Sequence, residues 1–227
     1  MEVIAPERPL PKNVLIVGMG GLGCPAAMAL FAAGVHDLTF ADPDVVDLTN
    51  LHRQPWHRTS DLGKPKVESA AAKLKRLWSK GKYRALQQKV DAGNVDALFA
   101  EHEAVIDATD GAETKFLLND AAVRSGKTLV YGGAIRLEGQ AMVIRKDGPC
   151  LRCLFESPPP EMQSCAQAGV LGSLAGAVGA LQVRLLLAAP EAGGTATLHR
   201  IDAAKLETRQ VAVKKAADCP VCALKGS

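Results

Sequence analysis

Aromatic side chains are scarce in this chain, at 4% of 227 residues, which leaves alanine, valine, leucine and glycine to fill the core. Charge of one sign is also missing. The 27 Lys and Arg against 24 Asp and Glu give a net +3, too little to suggest nucleic acid or an anionic membrane as partner. No apolar run reaches the ~20 residues that a bilayer demands. The nearest, Gly169 to Leu187, is interrupted by Gln182 and Arg184 and reads as a buried helix. Met1 to Lys12 is polar and proline-rich, without the apolar segment of a signal peptide. Together with cysteines spaced as metal ligands, this predicts a reducing, cytoplasmic setting. What is present, 48% hydrophobic and 22% charged residues, suits one large globular domain with a substantial core.

Short β-branched runs alternate with helical spacings. Asn13 to Val17 is expected to be a first strand and Leu22 to Ala33 a helix stopped at Gly34. Leu38 to Ala41 follows as a strand, and Asp44 to Arg58 as an irregular polar loop around Pro55. Lys66 to Trp78 places Val67, Ala70, Leu74 and Leu77 on one helical face. Further on, a strand is predicted over Ala85 to Val90, a helix near Val95 to Ala100 and a buried strand over Ala104 to Ala108. A helix around Glu113 to Arg124 and a strand at Thr128 to Tyr131 complete the series. This rhythm predicts an α/β fold, a Rossmann-like, doubly wound and mostly parallel sheet. After Gly133 the pattern changes to antiparallel strands. Gln140 to Arg145 is one, and Thr195 to Ile201 with Thr208 to Val213 a hairpin. Ser157 to Pro160 is an exposed crossing loop, and a long helix starts near Leu171.

Gly18, Gly20, Gly21 and Gly23 sit between the first strand and first helix, where a backbone without side chains can approach phosphate at a helix N-terminus. Asp42, nineteen residues after Gly23 and at the end of the second strand, is placed for a ribose hydroxyl. Asn50, Arg53, Gln54 and Lys66 lie in or just after the loop that follows. A dehydrogenase binding NAD has no use for two cations there. A site that neutralises a triphosphate during attack on its α-phosphorus does. Asp110, at the end of a later strand, points to the same crevice and could hold magnesium.

Four of the six cysteines form two Cys-x-x-Cys pairs, Cys150 with Cys153 and Cys219 with Cys222, 65 residues apart. Four thiolates close a tetrahedral zinc shell, which marks a structural site. Cys24 reads as a packing cysteine. Cys165 follows the proline-rich loop, near the start of a helix, where a thiol would have a lowered pKa.

The residues Gly18 to Gly23 (GMGGLG), Asp47 to Gln54 (DLTNLHRQ), Gly63 to Ala70 (GKPKVESA) and Thr109-Asp110 resemble the MoeB/ThiF family, bacterial relatives of ubiquitin-activating enzymes. Gly132 to Gln140 (GGAIRLEGQ), Cys165 to Gly172 (CAQAGVLG) and both cysteine pairs extend the resemblance over about Asn13 to Cys222. It implies an ATP-dependent adenylyltransferase acting on the C-terminal glycine of a small ubiquitin-like sulfur carrier. Asp42, Asp44 and Gln54 would serve the nucleotide, Asn50, Arg53 and Lys66 the phosphates, and Asp110 a magnesium ion. Cys165 falls where some members form a covalent link to the carrier. The implied organisation is a short segment over 1–12, a single adenylation domain over 13–222 and a tail over 223–227. Its nucleotide half would cover about 13–133 and its carrier and zinc half about 134–222. A homodimer is implied as well, with the small residues Gly172, Ala175, Gly176, Gly179 and Ala180 on a close-packing helix face.

Two features depart from the family pattern. Members usually begin with a helical arm whose Arg-Tyr-x-Arg-Gln motif reaches the partner's ATP site; before the first strand this chain has only Arg8. Gly111 stands where Asn usually follows Thr-Asp. No sulfurtransferase domain follows Cys222, so sulfur is expected from a separate protein. The alternatives are a tRNA-modifying dehydratase on the same scaffold, against which the zinc pairs and weak charge weigh, and a carrier-docking module without catalysis. The set Asp42, Arg53, Lys66 and Asp110 argues against the latter.

Overall fold

The computed structural model describes residues 9–155, 157–158, 168–188 and 195–223. One eight-stranded sheet runs through them, in the order β3-β2-β1-β4-β5-β6-β7-β8. Its strands are β1 (Val14–Val17), β2 (Asp37–Ala41), β3 (Lys82–Leu86), β4 (Ala104–Asp107), β5 (Thr128–Ile135), β6 (Glu138–Ile144), β7 (Thr195–Asp202) and β8 (Glu207–Lys214). The first five pair in parallel and the rest antiparallel. Helices α1 (Gly23–Ala32), α2 (Lys66–Leu77), α3 (Val95–Glu101), α4 (Ala112–Ser125) and α5 (Gly172–Leu187) cover the two faces.

All four residues of β1 are buried, as a central strand covered on both sides requires. Side chains alternate across a strand, so Val14 and Ile16 join the core beneath α1, α2 and α5. Leu15 and Val17 join the one containing Phe99, Leu118, Met142, Cys150 and Cys219. From β1 the chain moves first to β2 and β3 on one side, then to β4 on the other. That reversal opens a crevice at the carboxyl ends of β1 and β4, where ligands bind in open α/β sheets.

Two predicted strands have different limits. The expected Ala85 to Val90 strand is instead Lys82–Leu86. Parallel pairing with Asp37–Ala41 is used up at Leu86, and Gln88 N turns back to the Leu86 carbonyl at 2.9 Å. Likewise β5 does not end at Tyr131 but continues to Ile135, turning through Arg136 and Leu137 into β6. Its glycines make room for α5. A Cβ on Gly132 would overlap the amide of Gln182, whose Nε2 donates to the carbonyls of Asp107 (2.7 Å) and Val130 (2.9 Å). The polar residue that interrupts the apolar helix is thus a buried bridge between α5 and the sheet.

Gly172, Ala175 and Gly179 on the small-residue face of α5 pack within the chain, while Ala180 is exposed. A Cβ on Gly179 would collide with the Leu22 carbonyl, and one on Gly172 would lie 3.0 Å from the His52 carbonyl. Among the described residues no helix is long and apolar enough to cross a membrane.

Candidate nucleotide site and metal centre

A cleft of about 500 Å³ opens at the strand ends. Gly18, Gly20, Gly21, Asp42, Asp44, Asn50, Arg53, Gln54, Lys66 and Asp110 all line it. Gly18 has φ +93, and a Cβ there would lie 2.6 Å from the Ala108 carbonyl oxygen. Gly23 lies beneath the loop rather than in the cleft, its missing Cβ occupied by the Gly18 carbonyl. Gly23→Ala is therefore expected to displace the loop and abolish measurable ATP binding by calorimetry; retention of parental affinity would contradict this.

Asp42 is 6% exposed. One carboxylate oxygen accepts the Met19 N–H at 2.6 Å and the other the Asp44 N–H at 2.8 Å. Burial is the main cause of a carboxyl pKa above its usual range, opposed by Lys66 and these two backbone donors. Lys66, at the first turn of α2, is 5% exposed and holds Asp44 at 2.7 Å. The Arg53 guanidinium is steered by the Asn50 side-chain oxygen (2.6 Å) and the Thr49 carbonyl (3.2 Å). Gln54 is buried with its Oε1 unpartnered, an acceptor left to a ligand. Asp110 is exposed at the rim, in no ion pair among the described residues.

Beside this cleft lies a smaller cavity of about 110 Å³, sharing Thr109, Asp110 and Ala134 with it. Its floor is a buried ion pair. Lys115 Nζ sits 3.2 Å from an oxygen of Asp107, which is fully buried, donates to the Gly132 carbonyl at 2.5 Å and lies 5.1 Å from the centre of the Tyr131 ring. Burial, and then the Asp107 charge, push the Tyr131 hydroxyl up to about 12. It therefore stays protonated, accepting a hydrogen bond from Gln140 Nε2 at 2.5 Å.

The thiols of Cys150, Cys153, Cys219 and Cys222 lie within 4.8 Å of one another. The closest pairs are Cys153 with Cys222 at 3.4 Å and Cys150 with Cys219 at 3.6 Å. Zinc–sulfur bonds of ~2.3 Å in a tetrahedron place the sulfurs roughly 3.8 Å apart, so the donor set fits zinc. The Cys153 sulfur accepts the N–H groups of Cys150 (3.4 Å) and Ala216 (3.5 Å), contacts suited to a thiolate ligand.

The profile of the ThiF family matches residues 8–221, nearly the whole chain. The chain belongs to the ThiF family. It is 42% identical to the SAMP-activating enzyme E1 of Haloferax volcanii, with 98% of this chain and 85% of that protein covered. It is 45% identical to the adenylyltransferase and sulfurtransferase MOCS3 of Culex quinquefasciatus and 44% identical to Uba4 of Aspergillus niger. Each match covers 75% of this chain, which spans only 40% and 38% of those two proteins. Among solved structures, Escherichia coli MccB with ATP superposes with a TM-score of 0.76 at 18% identity. That match covers 93% of this chain and 67% of that one. At this identity the likeness speaks to the fold.

In this ThiF-family chain, ten predicted nucleotide residues share one cleft. Cys165, Arg8 and Pro159 to Pro160 lie outside the described residues. Sequence reading missed Gln88 and Lys89, which enter the cleft because β3 ends early. It also missed the Lys115–Asp107 pair. Its signal was there: Lys115 falls on the same α4 face as the buried Leu118, Asn119 and Ala122, where an unpaired charge would not survive.

Proposed function

We propose that this chain adenylates the C-terminal carboxylate of a small ubiquitin-like sulfur-carrier protein. The observation that carries the reading is the composition of the cleft. A glycine cradle and three cations, Arg53, Lys66 and Lys89, face three carboxylates, Asp42, Asp44 and Asp110. The cleft's charges balance, so a triphosphate entering it needs further positive charge. Asp110, at the rim, would hold a magnesium ion, which would supply that charge. Asp42 takes the ribose, with free lone pairs beyond its two backbone bonds. Asn50, Arg53 and Lys66 hold the phosphates, and the free Oε1 of Gln54 takes a hydrogen-bond donor of the nucleotide.

The smaller cavity adjoining Asp110 suits the carrier's glycine tail, since glycines alone are narrow enough for a space of about 110 Å³. A carboxylate oxygen of the tail attacks the α-phosphorus. The bond from that phosphorus to the bridging oxygen breaks, and pyrophosphate leaves with the electron pair. The chain contributes orientation and charge neutralisation, and no proton has to move. Zinc ties the C-terminal hook to the segment after β6. Cys165 accepts the activated carrier as a thioester, its thiolate displacing AMP from the acyl carbon, and the family resemblance supports a homodimer.

The test is ATP–pyrophosphate exchange with purified protein and a carrier ending in Gly-Gly. Exchange that requires the carrier supports the reading. Tight carrier binding without exchange would replace it with a docking module, and exchange driven by tRNA would replace it with RNA modification.

A further inference from the structure

A chain of buried polar groups lies behind the glycine loop, on the side away from the cleft. His57 is 3% exposed. Its Nε2 is 3.0 Å from the Met19 carbonyl and its Nδ1 is 3.0 Å from Ser69 Oγ. Lys73 Nζ reaches Ser69 Oγ at 2.9 Å and Asp61 at 2.5 Å. The ends of this chain fix its direction. A lysine ammonium only donates and a carbonyl only accepts. Lys73 therefore donates to Ser69, the Ser69 hydroxyl donates to Nδ1, and Nε2–H donates to Met19.

The N–H of the same residue, in the preceding peptide, goes to Asp42. Both polar groups of Met19 are thus held by side chains from outside the loop, between Gly18 and Gly20, which face the cleft. His57 is also tied to the phosphate side by its own backbone, whose N–H donates to the Gln54 carbonyl at 3.0 Å. Burial, the leading cause, lowers the His57 pKa and favours the neutral ring. The neighbouring Cys24 thiol donates to the same carbonyl at 3.3 Å. Burial pushes its pKa far up, so it adds a second donor and no nucleophile.

We propose that His57 is a positioning residue for ATP: as a neutral Nε2–H donor, oriented by Ser69 and Lys73, it fixes the Met19 peptide and so the shape of the phosphate loop. This rests on the adenylation reading above. The His57 ring touches no substrate and acts through the loop alone.

The test compares His57→Phe, His57→Gln and Ser69→Ala with the parent, by carrier-dependent pyrophosphate exchange and by calorimetric titration with ATP. His57→Phe keeps the bulk and removes the donor; the KM and Kd for ATP should rise about two- to tenfold, with the carrier's KM unchanged. His57→Gln keeps an N–H near the Met19 carbonyl and should recover most of that loss. Ser69→Ala removes the group that sets the tautomer and should shift the same constants less. A damaged fold lowers the active fraction but leaves KM and Kd alone, so that pattern, or an unchanged ATP affinity in both His57→Phe and Ser69→Ala, overturns the proposal. Parent protein without exchange overturns the adenylation reading instead, while the titration with ATP still decides the role of His57.

Discussion

Lys66→Ala is expected to lower carrier-dependent pyrophosphate exchange by on the order of 10²–10³-fold, the usual cost of losing one preorganised donor to a developing charge. The side chain is 6% exposed and its ammonium is fixed at 2.7 Å from Asp44, so its position costs nothing to organise when the phosphates arrive. Stability should change only modestly: the Asp44 carboxylate is 63% exposed, so water can take the place of the ammonium, and the buried Asp42, though it loses a nearby positive charge, keeps its two backbone donors. Activity and fold therefore separate in this variant. Exchange within tenfold of the parent, at an unchanged melting temperature, would remove Lys66 from the reaction.

Metal removal should do the reverse, with the larger effect on stability. Four-thiolate zinc contributes folding energy directly, with apparent binding of about 10–16 kcal/mol in small zinc peptides. If only about 3–5 kcal/mol of that survives in a chain with a large core, the melting temperature falls by roughly 6–20 °C. Cys219→Ser is expected to match the effect of a strong chelator. Cys150, Cys219 and Cys222 belong to the core that also contains Leu151, Ala196, Leu198 and Val213, so β7 and β8 should lose amide protection first. ATP binding in the parallel half should persist. Native protein without one equivalent of zinc, or a chelated protein with an unchanged melting temperature, would sink this.

The parallel half was legible because its signals are local. NVLIV, the glycine loop and the acidic strand end each state their own position, and Asp42 and Lys66 lie where the spacing put them. The limits of β3 and β5 were not legible, since pairing with β2 and the space needed by Gln182 decide them. Composition of the segments themselves carries neither. The Lys115–Asp107 pair and the His57 chain escaped for a related reason. A buried charge or imidazole looks like any surface residue until its partner, distant in sequence, is known. Arg53 and Lys66 were foreseen as phosphate ligands, but not that each is held by a neighbour, Asn50 and Asp44. Two glycines of the α5 face, Gly179 and Gly172, are explained within the chain by Leu22 and His52.

The two cysteine hooks also set an order in time. Each cross-hook pair is 69 residues apart, and synthesis at about 5–20 residues per second leaves the first hook waiting roughly 3–14 s for the second. The strands β1 to β5 precede both hooks, and their contacts can form during that wait without metal. The thiols of Cys150 and Cys153 meanwhile have no partners and are open to oxidation. Were the hooks to close on zinc, metal supply and thiol redox state would act on a nascent chain whose parallel strands are already made, and would govern how many chains are finished rather than how any one begins to fold.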